Sequence, residues 1–359
     1  MKTKETLNSL NPYVPGKPVA DVLKEYGLTS AVKLASNENP YGYSKQVKET
    51  IVNGLDHLEI YPDGGAVQLK AALAKFYNLA PEQFLVGSGL DEVIQIVSRA
   101  LLNTGDSIII ASPSFPQYAH HAVIEGATVK KVPVIADSGL MDLEGMLAAI
   151  DDTTKIIWLC NPNNPTGTYI KQNKIEEFLA RVPEDVLVIS DEAYYDYVTA
   201  EEQPTSLPFL EKYPNLMIMR TFSKAYGLAG IRVGYAIIPK DLGRFLDIAR
   251  LPFNCHSLAQ KAAITALKDQ DFVAFSQKEN KIEREKWEAF LEDLGLHYYH
   301  TETNFIFFDT KQDDKTITQE LLSKGFIIRG GLKPGWLRVT IGKKNDNLRI
   351  QDELKQILG

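Results

Sequence analysis

LMIMRTFSKAYGLAGIRVGY, Leu216 to Tyr235, couples an apolar run of strand length to a glycine-broken turn that carries a lysine. Leu216 to Arg220 has the length of a buried strand, and Gly227, Gly230 and Gly234 interrupt the residues after it, so Lys224 falls on an irregular turn. A lysine so placed can enter a cavity. Eight positions on, Arg232 offers a planar fork of donors that matches phosphate oxygens, and Thr221 and Ser223 add hydroxyls. Positive charge nearby should lower the lysine pKa, as attack on an aldehyde requires. Taken alone, the segment also fits a surface turn with solvated Lys and Arg.

Three other segments bear on that choice. KIIWLC, Lys155 to Cys160, reads as a buried strand and runs into the turn NPNNPTG, Asn161 to Gly167. VLVIS, Val186 to Ser190, is a second such strand, followed at once by Asp191, Glu192, Ala193 and Tyr194. Ligands of open α/β sheets bind beyond the carboxyl ends of strands, so Asn164, Asp191 and Tyr194 can converge there. A carboxylate behind VLVIS is costly to bury unless paired, and a purely structural Asp191 would need a cationic partner. FLVGSG, Phe84 to Gly89, leads into a stretch where Leu90, Val93, Ile94, Val97 and Leu101 recur at helical spacing. The glycines and that helix N-terminus present backbone N–H groups to an anion.

With NPNNPTG, DEAY and SKAYGLAGIRVGY in this order, the chain resembles the fold type I aminotransferases that use pyridoxal 5'-phosphate, and the likeness covers nearly its whole length. LNPYVPGK (Leu10 to Lys17), LASNENPYG (Leu34 to Gly42), Tyr61-Pro62-Asp63, TETNFIF (Thr301 to Phe307) and LRVTIG (Leu337 to Gly342) make it most similar to the histidinol-phosphate aminotransferases. The resemblance implies that Lys224 carries the cofactor and moves a proton between the substrate Cα and C4'. It implies that Asp191 faces the pyridine nitrogen and that Tyr194 and Asn164 bond the phenolic oxygen. By the same likeness Arg232, Ser223, Thr221 and the backbone at Gly89 and Leu90 bind the phosphate, and Phe115 stacks on the ring. Tyr61 matches a tyrosine that reaches the cofactor phosphate of a neighbouring subunit, which implies a homodimer with shared active sites.

For the substrate, Arg338 matches an arginine that binds the α-carboxylate of glutamate. Arg329 and Tyr13 match residues that hold the phosphate of histidinol phosphate, and Asn37 in LASNENPYG falls at a substrate-binding position. The chain departs from the family in having Leu90 where serine or alanine is common and Phe115 where tyrosine is frequent. Both leave room for an aminotransferase preferring aromatic amino acids. Threonine-phosphate decarboxylases resemble the same enzymes and would use the same lysine. A non-catalytic regulator would need an attached DNA-binding domain, for which the residues before Leu34 are too few.

Composition narrows the partners. In 359 residues, a net charge of −7 without a basic stripe disfavours nucleic acid. The N-terminal residues lack an apolar signal core, and no stretch has the roughly 20 apolar residues of a membrane span, so a cytoplasmic protein is expected. Cys160 and Cys255 make no disulfide framework, and six scattered histidines lack metal-ligand spacing, so no metal is expected. The order of strand-like and helix-like runs predicts an α/β protein of the aspartate-aminotransferase type. Residues 34–240 would form a large cofactor-binding domain with a mainly parallel sheet flanked by helices. Residues 241–359 would form a smaller α+β domain, which residues 1–33 join as an N-terminal arm.

Overall fold

The apolar runs of the central region assemble into one sheet. In a computed structural model that describes residues 1–12 and 16–358, the strands are β1 (Val32–Lys33), β2 (Phe84–Gly87), β3 (Ser107–Ser112), β4 (Thr128–Pro133), β5 (Thr154–Cys160), β6 (Leu187–Asp191), β7 (Leu216–Thr221), β8 (Gly234–Ile237), β9 (Phe305–Asp309), β10 (Phe326–Ile327) and β11 (Trp336–Thr340). Tyr13 lies outside the described residues. Seven strands form the main sheet in the order β2-β8-β7-β6-β5-β3-β4, with only β8 antiparallel to its neighbours. This is the α/β architecture that the alternating runs predict.

Side chains of a strand alternate between the two faces, and here both faces are covered. Along β5, Ile157 and Leu159 enter one core while Ile156, Trp158 and Cys160 enter the other. The first core is closed by helices Val67–Tyr77, Gln172–Leu179 and Ser257–Lys268, and the second by helices Leu90–Leu101, Gln117–Ile124 and Gly243–Ala249. The helical pattern from Lys171 to Val182 shortens to Gln172–Leu179, ending ahead of Pro183. β2 and β4 are the edge strands of this sheet, and β4 carries Lys130 and Lys131, charges that blunt an open edge.

A third core gathers Leu34, Trp287, Leu291, Ile306, Phe308, Leu337 and Ile350 from the C-terminal segments. There β9 pairs antiparallel with β11, and β10 pairs parallel with β1. Among the described residues no helix is long and apolar enough to cross a membrane.

Candidate active site

Parallel pairing sets the ends of three strands side by side. Cys160 of β5 is level with Asp191 of β6, whose other neighbour is Met219 of β7, two residues before Thr221. The turn after β7 brings Lys224 into the cleft beyond these ends, and the cleft is lined by Leu90, Phe115, Asn164, Asp191, Tyr194 and Lys224, among others. Two glycines make this approach feasible. At Gly227 (φ +72°) the carbonyl of Gly42 occupies the place a Cβ would take, so LASNENPYG lies directly against SKAYG. Asn39 Nδ2 reinforces the contact by donating to the Ala225 carbonyl at 2.9 Å.

The second close approach is at Gly89, the N-cap of helix Leu90–Leu101, with φ +82°. A Cβ there would run into the Arg232 guanidinium. Arg232 Nη1 also reaches Ser223 Oγ at 3.4 Å, and Thr221 Oγ1 accepts from the Ser223 N–H at 3.0 Å. A helix start without a side-chain cap, two hydroxyls and a half-exposed arginine thus face one spot, which is the donor set a phosphate dianion requires. Asp91 stands 3.6 Å from Arg232 and balances part of its charge. Leu90, which also lines the cleft, packs against the sheet beside Gly234.

Lys224 Nζ donates to the Ser36 carbonyl at 3.3 Å and sits 5.6 Å from the centre of the Tyr194 ring. Its pKa is lowered to about 8. Nearby positive charge, the cause expected from the sequence, is not the main one: burial comes first, then Arg338, with Arg232 a smaller contributor and Glu38 and Asp91 opposing. Asp191 is 3% exposed. Among the described residues no cation bonds it, contrary to what a structural role would need; Tyr118 Oη donates to Oδ2 at 2.5 Å and the Ala193 N–H to Oδ1 at 3.1 Å. Burial outweighs both bonds and raises the carboxyl to about 6. A buried carboxylate with no counter-charge of its own among the described residues is suited to meeting a cationic nitrogen.

Tyr194 Oη accepts from Asn37 Nδ2 at 2.9 Å and from Asn164 Nδ2 at 3.3 Å. Arg338, buried on β11, donates to Asn164 Oδ1 at 2.5 Å and to the Ala35 carbonyl at 2.7 Å. Asn37 is held with φ +55°, and Thr340 Oγ1 accepts from its N–H at 3.0 Å. One chain of contacts therefore joins Arg338, Asn164, Tyr194 and Asn37. Arg329 and Arg338 exchange backbone hydrogen bonds as an antiparallel pair, so their side chains leave the same face. Arg329 itself opens onto a groove beside Ser9 to Pro12 and His120.

Phe115 lines the cleft, whereas Tyr61 does not; it is 79% exposed and stacks on Phe253 with centroids 4.7 Å apart. Tyr118 is a site residue that the motifs do not single out, although it lies three positions after Phe115 in the SFPQY turn. Its signal in the sequence is that closeness to Phe115, whose ring it meets edge-on at 5.6 Å.

The family model for aminotransferase class I and II matches residues 29–352. A histidinol-phosphate aminotransferase of Bacillus cytotoxicus is 49% identical over 353 residues, covering 98% of this chain and 95% of the relative. One of Geobacillus thermodenitrificans is 48% identical over 361 residues, covering 100% of this chain and 98% of the relative. Among solved structures, the histidinol-phosphate aminotransferase of Sinorhizobium meliloti in complex with pyridoxal-5'-phosphate superposes with a TM-score of 0.91 at 26% identity, covering 99% of this chain and 97% of that one. An aspartate aminotransferase of Thermus thermophilus with maleate has the same fold, at a TM-score of 0.86 and 22% identity over 100% of both chains.

Proposed function

The chain belongs to the class I and II aminotransferases, and within them to the histidinol-phosphate aminotransferases, and from this we propose that it transfers the amino group of L-histidinol phosphate to 2-oxoglutarate, giving imidazole acetol phosphate and L-glutamate. The reaction belongs to histidine biosynthesis and uses pyridoxal 5'-phosphate. The observation that carries the substrate is the full-length likeness to histidinol-phosphate aminotransferases at 48–49% identity. The donor set around Gly89, the buried Asp191 and the low-pKa Lys224 fit the cofactor's phosphate, ring nitrogen and aldehyde in turn.

When bound, pyridoxal phosphate supplies an electron sink that lets the Cα–H bond of the amino donor break. In our reading Lys224 anchors the cofactor and then moves the proton from the substrate Cα to C4'. Asp191 holds a proton on the ring nitrogen, and Tyr194 and Asn164 donate toward the phenolic oxygen. Arg232, Ser223, Thr221 and the N–H groups at Gly89 and Leu90 hold the phosphate, while Phe115 covers one face of the ring. Arg338 takes the glutamate α-carboxylate, with Asn37 beside it. Arg329 stands on the same face as Arg338 and takes the phosphate of histidinol phosphate, the role the family likeness also gives to Tyr13.

The test is a substrate comparison. Purified protein with pyridoxal phosphate and 2-oxoglutarate is offered histidinol phosphate, phenylalanine and tyrosine separately, and glutamate formation is followed. Histidinol phosphate is expected to exceed the aromatic amino acids by at least about 100-fold in kcat/KM, since a charged clamp left empty is costly. Faster turnover of phenylalanine or tyrosine would overturn the substrate assignment and remove Arg329 from the site.

We further read the exposed apolar face around Tyr61 as the contact with a second copy of the chain. Leu58, Ile60 and Val67 lie exposed on one segment, Ile248, Leu251 and Phe253 on another, and the Arg250 guanidinium bonds the Gly64 carbonyl between them at 2.8 Å. Tyr61 at the centre of this face would then reach the phosphate site of the partner. Ile60→Asp combined with Ile248→Asp is expected to yield a monomer by sedimentation with activity reduced by at least about tenfold. A monomer of full activity would refute the shared site. We place the enzyme in the cytoplasm, where two buried free thiols stay reduced, and take the segments from about Trp287 onward with residues 1–33 as a small domain; helices Gly243–Ala249 and Ser257–Lys268, which a boundary at 240 would assign to it, pack into the cores of the large sheet.

A further inference from the structure

Tyr118 stands outside every role assigned above, yet it makes the shortest contact that Asp191 has. We propose that Tyr118 is a positioning residue for Asp191, its buried phenol fixing the carboxylate through Oδ2 and holding it as the anion that meets the cofactor's ring nitrogen. The inference rests on the reading of Asp191 given above.

The packing leaves the phenol one orientation. Tyr118 lies in the first turn of helix Gln117–Ile124, fully buried, with its ring stacked on Trp158 at 4.4 Å and 12° and set edge-on to Phe115 at 5.6 Å and 76°. Aromatic walls on two sides fix the ring, so the hydroxyl cannot swing away from Asp191. A carboxylate only accepts, so the phenol donates. Burial and then the charge of Asp191 push the Tyr118 pKa well above its ordinary value, and it remains a donor.

The groups facing Asp191 define what the hydroxyl does. Burial, and after it the Asp91 and Glu192 charges, raise the carboxyl's proton affinity, while the Tyr118 O–H and then the Ala193 N–H lower it. Cys160, on the adjacent strand, is itself pushed up to about 12 and brings no charge. Tyr118 therefore makes the largest contribution that keeps the carboxylate ionised before a cofactor arrives. Without it a proton shared between Asp191 and a pyridine nitrogen shifts toward the carboxylate, and the ring accepts electrons less readily. The same segment would thus serve both aspects of the ring: Phe115 at its face, Tyr118 behind its nitrogen partner.

Tyr118→Phe removes one oxygen and keeps the stacked ring. In cofactor-free protein with 13C-labelled aspartate, the Asp191 carboxyl is expected to titrate about one pH unit higher in the variant. In protein loaded with pyridoxal phosphate labelled with 15N in the ring, the nitrogen resonance should move toward its unprotonated position. The kcat should drop about tenfold while the KM for histidinol phosphate stays within about twofold. Incorporating 3-fluorotyrosine at position 118, a stronger donor of nearly the same volume, should move the titration and the resonance the opposite way. An unchanged Asp191 midpoint together with an unchanged nitrogen resonance in Tyr118→Phe would overturn the proposal. Asp191→Asn separates the two readings: if it leaves the 15N resonance of the loaded protein unmoved, the pairing of Asp191 with the ring fails, whatever the cofactor-free titration shows for Tyr118.

Discussion

Lys224→Ala is expected to lower kcat/KM for histidinol phosphate by about 10⁴-fold or more, and to abolish the cofactor adduct that borohydride traps in the wild-type protein. Two functions disappear with one amine. The first is covalent anchoring, and the second is the proton transfer at Cα and C4', a step for which a positioned base contributes roughly 10²–10⁴-fold by itself. The structure makes the amine ready for both, because burial and the Arg338 charge bring its pKa to about 8. About a tenth of the lysine is then neutral at pH 7, against less than about one part in a thousand at an ordinary lysine pKa. That sets the sign of the pH dependence. The neutral amine is the reactive form, so the rate at which cofactor-free protein captures pyridoxal phosphate should climb with pH through about 8 and level off above it. A borohydride-trapped cofactor persisting in Lys224→Ala, attached to another lysine, would sink the assignment.

Much of this site is readable in the sequence because the chemistry is grouped in short segments at strand ends. VLVIS followed by Asp191 and LMIMR followed by Thr221 mark β6 and β7, and parallel pairing then places their carboxyl ends together without further information. Six of the seven strands of the main sheet correspond to apolar runs, since strands buried on both faces leave continuous rather than alternating patterns, whereas the edge strand β4 holds Lys130 and Lys131 and is largely uncovered. Contacts between distant segments, made by residues that look ordinary in isolation, cannot be read in this way. Tyr118 is one, 73 residues from the Asp191 it touches. Arg220 is another: it ends the apolar run of β7, yet it is buried and donates to Glu192 at 2.7 Å beneath the site. A third is Asn37, whose φ of +55° and bond to Tyr194 depend on Thr340 at the far end of the chain. Residue type suggests that such groups need partners, but only the fold determines which.

Arg338→Ala is expected to reduce kcat/KM for glutamate by about 10²- to 10³-fold while pyridoxal phosphate affinity changes by only a few-fold. Truncating one member of a buried, hydrogen-bonded charge pair costs about 2–5 kcal/mol, and with Arg338 gone the glutamate α-carboxylate would enter a buried site without its counter-charge. The cofactor's phosphate, ring nitrogen and aldehyde each have other partners, so binding of the cofactor is spared. Arg338→Lys should recover less than about a tenth of the lost activity. A single ammonium cannot hold Asn164 Oδ1 and the Ala35 carbonyl while also presenting a fork to a carboxylate. The loss should also propagate along the contacts that run from Asn164 to Tyr194, and the Lys224 pKa should rise because its second-largest depressing influence is removed. Arg329→Ala provides the contrast: paired with Arg338 through the backbone but opening onto the groove near His120, it should impair histidinol phosphate more than glutamate. If glutamate kcat/KM is unchanged in Arg338→Ala, the buried guanidinium only ties β11 to Asn164, and the carboxylate must be bound elsewhere.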